Sequence, residues 1–378
     1  MRTILTTFAT ATALALAAPA AAKTYVHCLE GSPEGFNPAA ATSTTAFDAN
    51  GLPIYDRLVE FERGTANVRP SLAESWEISA GGTVYTFKLR RGVKWHTTPA
   101  FTPQRDLNAD DVLFSFLRQW KSDHPYNKVN GANYRDIDAT GIANLLVSID
   151  KVDDYTVRFT LKEPEAPFLA DLAMSWGSIV SAEYADRLTA AGTPEKIDTE
   201  PVGTGPFVRV AYQQDAAIRF RAHPDHWRGR AKLDELVMVI ATDPAIRYAK
   251  VKSGECHSMA FPNPADLPAI ARDPAVRLMT QEGLNVGFLA FNTVKKPFDD
   301  ARVRRAFNLA VDRKAIIDAV FGNAGVAAAN PIPPTLWSYN ASIKDYPHDP
   351  ARARQLLAEA GLGNGRPNSC RPTSPRSA

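Results

Sequence analysis

Two short stretches alternate apolar with polar residues. Trp76 and Ile78 alternate with Glu77 and Ser79, and Tyr85, Phe87 and Leu89 alternate with Thr86, Lys88 and Arg90. A period of two sends successive side chains to opposite faces of a strand. With Gly81 and Gly82 between them, the stretches predict a hairpin with one buried face. The period then changes. Leu113, Phe116, Leu117 and Trp120 recur at helical spacing, behind Asn108 as N-cap and Asp111 in the capping-box position. Tyr155, Val157, Phe159 and Leu161 predict a further half-buried strand, closed by Pro164. Phe207 to Val210 and Ile218 to Arg221 predict a strand pair, and the continuous apolar run Leu236 to Ile240 suits a sheet buried on both faces. A helix is expected from Pro244 to about Ser253.

Further on, Leu284 to Phe291 is another apolar, strand-like run. Val303, Ala306, Phe307 and Ala310 stand at helical spacing after Asp299 and Asp300. Pro331 to Pro334 breaks the pattern, and Ala351 to Ala360 predicts a short helix ended by Gly361. Strands and helices are thus mixed without strict alternation, and no internal repeat is visible. The last segment, Arg366 to Ala378, holds three Arg, three Pro and three Ser with almost nothing to bury. It cannot form a packed element and is expected to be disordered.

Composition narrows the class. At 378 residues, with 45% hydrophobic and 22% charged residues, two lobes are expected rather than one small core. The formal charge of +2 gives no reason to expect nucleic acid. Without Arg2 and the three arginines of the last segment the formal charge becomes −2. Residues 1–22 read as a signal peptide: Arg2, an apolar stretch from Ile4 to Ala18, and Ala20-Ala21-Ala22 before Lys23, with cleavage expected after Ala22. The stretch is too short and too rich in Thr and Ala to favour a retained membrane helix. The expected destination is the bacterial periplasm. Three cysteines, Cys28, Cys256 and Cys370, allow more than one pairing in an oxidising compartment, and no nucleophile motif surrounds any of them.

The residues themselves carry a resemblance. The stretch PSLAESWEISAGGTVYTFKLRRGVKWH from Pro70 to His96, continued by LNADDVLFSFLRQW to Trp120, is similar to the signature region of the family 5 solute-binding proteins, the periplasmic receptors of peptide-type ABC transporters. EGSPEGFNPAAATSTTAFDANGLPIYDRLVEF at Glu30 to Phe61, EAPFLADLAM at Glu165 to Met174 and VGTGPF at Val202 to Phe207 agree with it. So do PNPADL at Pro262 to Leu267, GLNVGFLAFN at Gly283 to Asn292 and KKPFDDARVRRAFNLAVDRKAI at Lys295 to Ile316. Within the family the chain resembles the dipeptide-binding branch, from about Lys23 to Gly365.

The resemblance implies an α/β, periplasmic binding protein-like class II two-lobe fold of the cluster C type. Residues 23–283 would form lobe I, with an extra subdomain near 56–200, and 284–365 a part of lobe II. The crossing between lobes would fall at Leu284 to Phe291. Residues 366–378 would be an out-of-family tail, read as a frameshift or premature end in preference to a functional basic tail. On that reading the second lobe is incomplete and the strands returning to lobe I are missing, which would leave sheet edges unpaired. The resemblance also implies a disulfide between Cys28 and Cys256, closing a loop worth about 4 to 5 kcal/mol in the chain-entropy model.

A dipeptide is a zwitterion, and burying it requires a partner for each charged end. In the resembling receptors an Asp and an Arg do this from the second lobe, beyond Gly365; Arg366 stands in a context that does not match. What remains is Thr42, Ser43 and Thr44, on the segment that gives ligand contacts in the family. The competing reading of that segment is a polar loop whose hydroxyls cap its own backbone. Tyr126 and Trp337 are aromatic candidates that read better as packing residues. His223 and His226 lack further ligands at metal spacing, so a structural role is expected and no metal or other cofactor is implied. Gly203-Thr-Gly205 lacks the Lys of a phosphate loop and reads as a turn. Arg302, Arg304 and Arg305 read as a solvated helix face. There is no G-x-S-x-G and no H-E-x-x-H.

The expected function is therefore a monomeric binding protein, not an enzyme, with a dipeptide or small peptide as ligand and an inner-membrane ABC permease as partner. The alternatives are a receptor for haem, nickel or an oligopeptide, a non-functional fragment and, more distantly, a secreted peptidase.

Overall fold

The computed structural model describes residues 22–322 and 324–363. The expected signal peptide, except for Ala22, and the expected tail lie outside the described residues. Its strands are β1 (Thr24–Leu29), β2 (Val59–Phe61), β3 (Val68–Pro70), β4 (Ala73–Ile78), β5 (Val84–Leu89) and β6 (Leu146–Asp153). Then follow β7 (Thr156–Leu161), β8 (Phe207–Gln213), β9 (Ala217–Ala222), β10 (Glu235–Ile240) and β11 (Ser258–Met259). They make a mixed five-stranded sheet in the order β11-β1-β10-β9-β8, a two-stranded ribbon β2-β3 and a four-stranded antiparallel sheet β4-β5-β7-β6.

The run at Leu236 to Ile240 becomes β10, parallel to β1 on one side and antiparallel to β9 on the other. Val237 and Met238 are buried. The hairpin β4–β5 forms as expected, with Trp76 opposite Phe87 and Gly82 at φ 68° in its turn. Its buried face is narrower than alternation predicts. Tyr85, Phe87 and Leu89 are buried, but Ile78 is 47% exposed because β4 is the sheet's edge strand. Beside this sheet the helix Ala109–Trp120 carries the predicted capping box, with the Asn108 side chain accepting from Asp110 and the Asp111 carboxylate accepting from the Asn108 N–H.

The buried face of that helix is not the one predicted. Leu113, Leu117 and Trp120 are half-buried, whereas Asp111, Val112, Ser115, Phe116, Arg118 and Gln119 are buried. The polar members are tolerated because distant partners satisfy them. Asp111 takes a bidentate pair from Arg105 at 2.6 and 2.8 Å and the N–H of Ala182 at 2.9 Å. Ser115 accepts from Val180 N–H at 2.8 Å, and Gln119 donates to the Trp176 carbonyl at 3.0 Å.

Leu284 to Phe291 is not a strand. The segment has no hydrogen-bonded ladder, and Leu284, Phe288 and Leu289 are exposed, Phe288 by 78%. Apolar content makes a strand only where a neighbour supplies the other half of its hydrogen bonds. The helices Ala301–Ala310 and Pro350–Glu359 form as predicted, capped by Asp300 and Asp349. They pack on each other through Ala306, Leu309, Ala353 and Leu356, a core separate from the large one that runs from Leu29 to Met238. Cys28 in β1 and Cys256 before β11 form a disulfide with 5.8 Å between their Cα atoms. Among the described residues no helix is long and apolar enough to cross a membrane.

Candidate functional site

The loop after β1 leaves the five-stranded sheet at the carboxyl ends of three parallel neighbours, β11, β1 and β10. Such an edge is where open α/β sheets place their ligands. Here it carries Glu30 to Ala41 and then Thr42, Ser43 and Thr44.

The loop is held from several sides. The Ser32 hydroxyl donates to Asp215 at 2.7 Å, in the turn between β8 and β9. The Phe36 N–H donates to the Asp198 carbonyl at 3.2 Å, and the Phe36 carbonyl accepts from the Tyr55 hydroxyl at 3.1 Å. The Phe36 ring lies 4.5 Å from the Arg209 guanidinium and edge-on to Tyr212. Asn37 Oδ1 accepts both the N–H of Ala39 at 3.2 Å and Arg118 Nη2 at 3.0 Å. Arg118 is 1% exposed, and its guanidinium stands near the rings of Phe114 and Tyr134. Among the described residues it forms no ion pair, so the Asn37 carbonyl is a main stabiliser of a buried charge.

On this support the Thr42–Thr44 segment divides its work. Ser43 is an N-cap: its hydroxyl accepts the Ala46 N–H at 3.2 Å and meets the Thr45 hydroxyl at 3.0 Å. The expected competing reading therefore describes Ser43 well. Thr42 binds Glu34 through its N–H at 3.0 Å. The side chains of Thr42 and Thr44 are exposed, and neither hydroxyl bonds to another of the described residues. A π-helical turn, Phe47–Gly51, follows. Turns of this kind recur at functional sites. In it Asp48 is pushed up to about 6, by burial first and by the Glu30 carboxylate second. The segment thus offers two exposed hydroxyls, with Glu34 bonded to its backbone.

Asn37, Asp48 and Arg118 escaped the reading of the sequence. Asn37 and Asp48 lie inside the quoted Glu30–Phe61 stretch, and nothing in periodicity singles them out. Arg118 sits on a helix among leucines and phenylalanines, where a solvated arginine is the ordinary expectation.

The VGTGPF segment forms the floor behind the loop. Gly205 and Phe207 donate their N–H groups to the Ile54 and Pro53 carbonyls, each at 2.9 Å. A Cβ at Gly205 would come within 2.6 Å of the Ile54 carbonyl carbon, and one at Gly203 would overlap the Ile54 oxygen. These glycines allow two backbones to touch. Thr204 and Trp227 both donate to the buried Asp56, at 2.9 and 3.0 Å, and His226 Nε2 stands 3.8 Å from the same oxygen; against the cost of burial, His226 first and then Trp227 and Thr204 hold the carboxylate low. His96 bridges the same turn, with Nε2 on the Gly205 carbonyl at 2.8 Å and Nδ1 near the Gly203 N–H at 3.4 Å. Burial pushes its pKa down to about 3. His223 packs edge-on against His96 and points Nδ1 at the same carbonyl. His223 and His226 are both buried, which is a structural placement. Among the described residues no group of three or more His, Cys, Asp or Glu is arranged to hold a metal ion.

The other candidates are not brought to this loop. Tyr126 is buried and donates to the Ala185 carbonyl at 2.7 Å. Trp337 is 76% exposed and lines a mainly apolar cleft of about 410 Å³ with Phe61, Pro167, Ala170, Leu284 and Leu336. Arg302 pairs with Asp300 at 2.7 Å on an exposed helix face.

Residues 67–375 match the family described as "Bacterial extracellular solute-binding proteins, family 5 Middle", a range that runs past Gly365. The chain is 52% identical over 353 residues to the dipeptide-binding protein of Escherichia coli K12, covering 93% of this chain and 66% of that protein. It is 54% identical over 342 residues to the heme-binding protein A of Haemophilus influenzae, covering 90% and 62%. The chain thus spans a little under two thirds of the length of these relatives. Among solved structures, a dipeptide binding protein from Pseudoalteromonas sp. SM9913 in complex with Met-Leu superposes with a TM-score of 0.82 at 38% identity, covering 91% of this chain and 68% of that one. The chain belongs to family 5 of the bacterial extracellular solute-binding proteins.

Proposed function

We propose that this chain forms the first-lobe side of a periplasmic receptor that captures dipeptides or other small peptides and delivers them to an inner-membrane ABC permease. The observation that carries the reading is the 52% identity to a dipeptide-binding protein sustained over 353 residues. In this reading residues 23–283 are lobe I, with a subdomain near 56–200, and 284–365 belong to lobe II. Thr42, Ser43 and Thr44 face the ligand: the two free threonine hydroxyls and the segment's backbone would bond to the peptide, while Ser43 keeps the turn in shape. The receptor binds and releases its ligand without a chemical step.

The charged ends of the peptide require an Asp and an Arg that the family resemblance places beyond Gly365. The test has two arms. A chimera in which residues 23–363 are continued by the remainder of the Escherichia coli relative is expected to give saturable heat with dipeptides in calorimetry, weakened by N-acetylation of the ligand. Residues 1–378 alone are expected to give none. A chimera that folds but ignores dipeptides would overturn the peptide reading. Micromolar binding by residues 1–378 would overturn the placement of the anchors.

A second reading has its own support in the 54% identity to a heme-binding protein. Titrating the same chimera with haemin and following its absorbance separates the two, because displacement of haem by dipeptide requires a shared cleft.

A further inference from the structure

Three arginines meet around one tryptophan, at a pocket that shares no lining residue with the cleft described above. Arg69 and Pro70 come from β3, Arg90 follows β5, and Trp227 and Arg228 follow β9; together they line a surface pocket of about 300 Å³. The Trp227 indole is fixed from behind by its hydrogen bond to the buried Asp56. The Arg90 guanidinium carbon lies 4.6 Å and that of Arg228 4.2 Å from the Trp227 ring centroid. Stacking of this kind holds a guanidinium's plane while leaving its edge N–H groups free.

The charges there do not balance. Glu60 is shared by two of the arginines, at 2.6 Å from Arg69 and 2.8 Å from Arg228. Arg90 donates Nε to the Ser71 carbonyl at 2.6 Å, and its nearest carboxylate, Glu74, is 3.7 Å away. Three guanidiniums face two carboxylates, and among the described residues Arg90, bonded to a neutral carbonyl, has no carboxylate within hydrogen-bond distance. Like charges gathered in one place are stabilised by a counter-charge, and planar forks favour an oxyanion.

We propose that the Trp227 pocket is a binding site for a singly charged oxyanion, a carboxylate or a phosphodiester, with Arg90 as its principal donor. The inference does not depend on the peptide reading.

The test uses dimethyl phosphate and acetate as probes on the 378-residue chain at low ionic strength, because charges this exposed are screened by salt. Arginine Nε–H resonances are followed by NMR against a matched chloride titration. Those of Arg90 and Arg228 are expected to move saturably with the probes. Arg90→Gln is expected to weaken binding about tenfold, the effect of one charge-assisted contact. Arg90→Lys keeps the charge but not the fork and is expected to weaken it too, and it serves as the deciding variant should Arg90→Gln lower the melting temperature. Lys94→Gln is expected to change nothing. Shifts that track chloride without saturating, or affinity unaltered in both Arg90 variants, would overturn the proposal. Sedimentation with phosphatidylglycerol vesicles, lost in Arg90→Gln, would identify the anion as a lipid headgroup; binding of the soluble probes without vesicle retention would identify a free anion.

Discussion

A methyl group at Gly203 has no room, because the Ile54 carbonyl occupies its place. Backbone cannot swing aside as a side chain can, so Gly203→Ala is expected to cost at least about 2 to 3 kcal/mol. Gly81→Ala, whose Cβ would meet nothing closer than 3.9 Å, is the matched control in urea denaturation. The same turn sets a pH dependence. His96 has its pKa pushed from the usual 6.5 down to about 3, so the unfolded chain binds a proton there that the folded one refuses. Its contribution is fully present above about pH 6.5 and is lost as pH falls toward 3. Protonation would also turn Nδ1 from an acceptor for Gly203 into a donor facing it. Asp48 and Asp171, raised to about 6 by burial, act in the opposite sense in part of that window. The quantity to measure is therefore the difference between wild type and His96→Gln. The wild-type urea midpoint is expected to drop more steeply between about pH 6.5 and about pH 4.5; parallel profiles would refute this.

At the scale of elements, the disulfide between Cys28 and Cys256 closes a loop of 228 residues between two strands that flank one edge of the five-stranded sheet. Reducing it is expected to lower stability by about 4 to 5 kcal/mol, read as a shift in urea midpoint with and without dithiothreitol. The segment at Leu284 to Phe291 makes the opposite case. Without a ladder its amides are expected to exchange within seconds, while those of β10 resist for hours, a contrast that hydrogen exchange measures directly. What could be read in the sequence follows the same division. The hairpin, the capping box and the helices after Asp300 and before Gly361 depend on neighbours in the chain, and local pattern revealed them. The buried polar face of the Ala109–Trp120 helix depends on Val180, Ala182, Trp176 and Asn37, and nothing in its own spacing announces them. At the candidate site, the Thr42–Thr44 stretch was reached only through family resemblance. The division of labour between its capping serine and its free threonines needed the fold.

In the molecule as a whole, the large core and the small one differ in how they are supported. The first is built from three sheets and their helices, whereas the second rests on four residues of two helices. Phe116→Ala, in the large core against Phe159 and Trp176, is expected to cost about 3 to 5 kcal/mol and to lower the main unfolding transition. Leu356→Ala in the small core is expected to leave that transition in place and loosen only the region after residue 300, as limited proteolysis would show. The position of β1 has a further consequence, for time rather than for stability. β1 is the first of the described strands to leave the ribosome, yet its partners β10 and β11 begin at Glu235 and Ser258. The central sheet therefore cannot close until more than two hundred later residues have been made, and closing so distant a contact is slow. The order of synthesis therefore leaves the leading strand without its sheet partners while the four-stranded sheet, complete at Leu161, can already form.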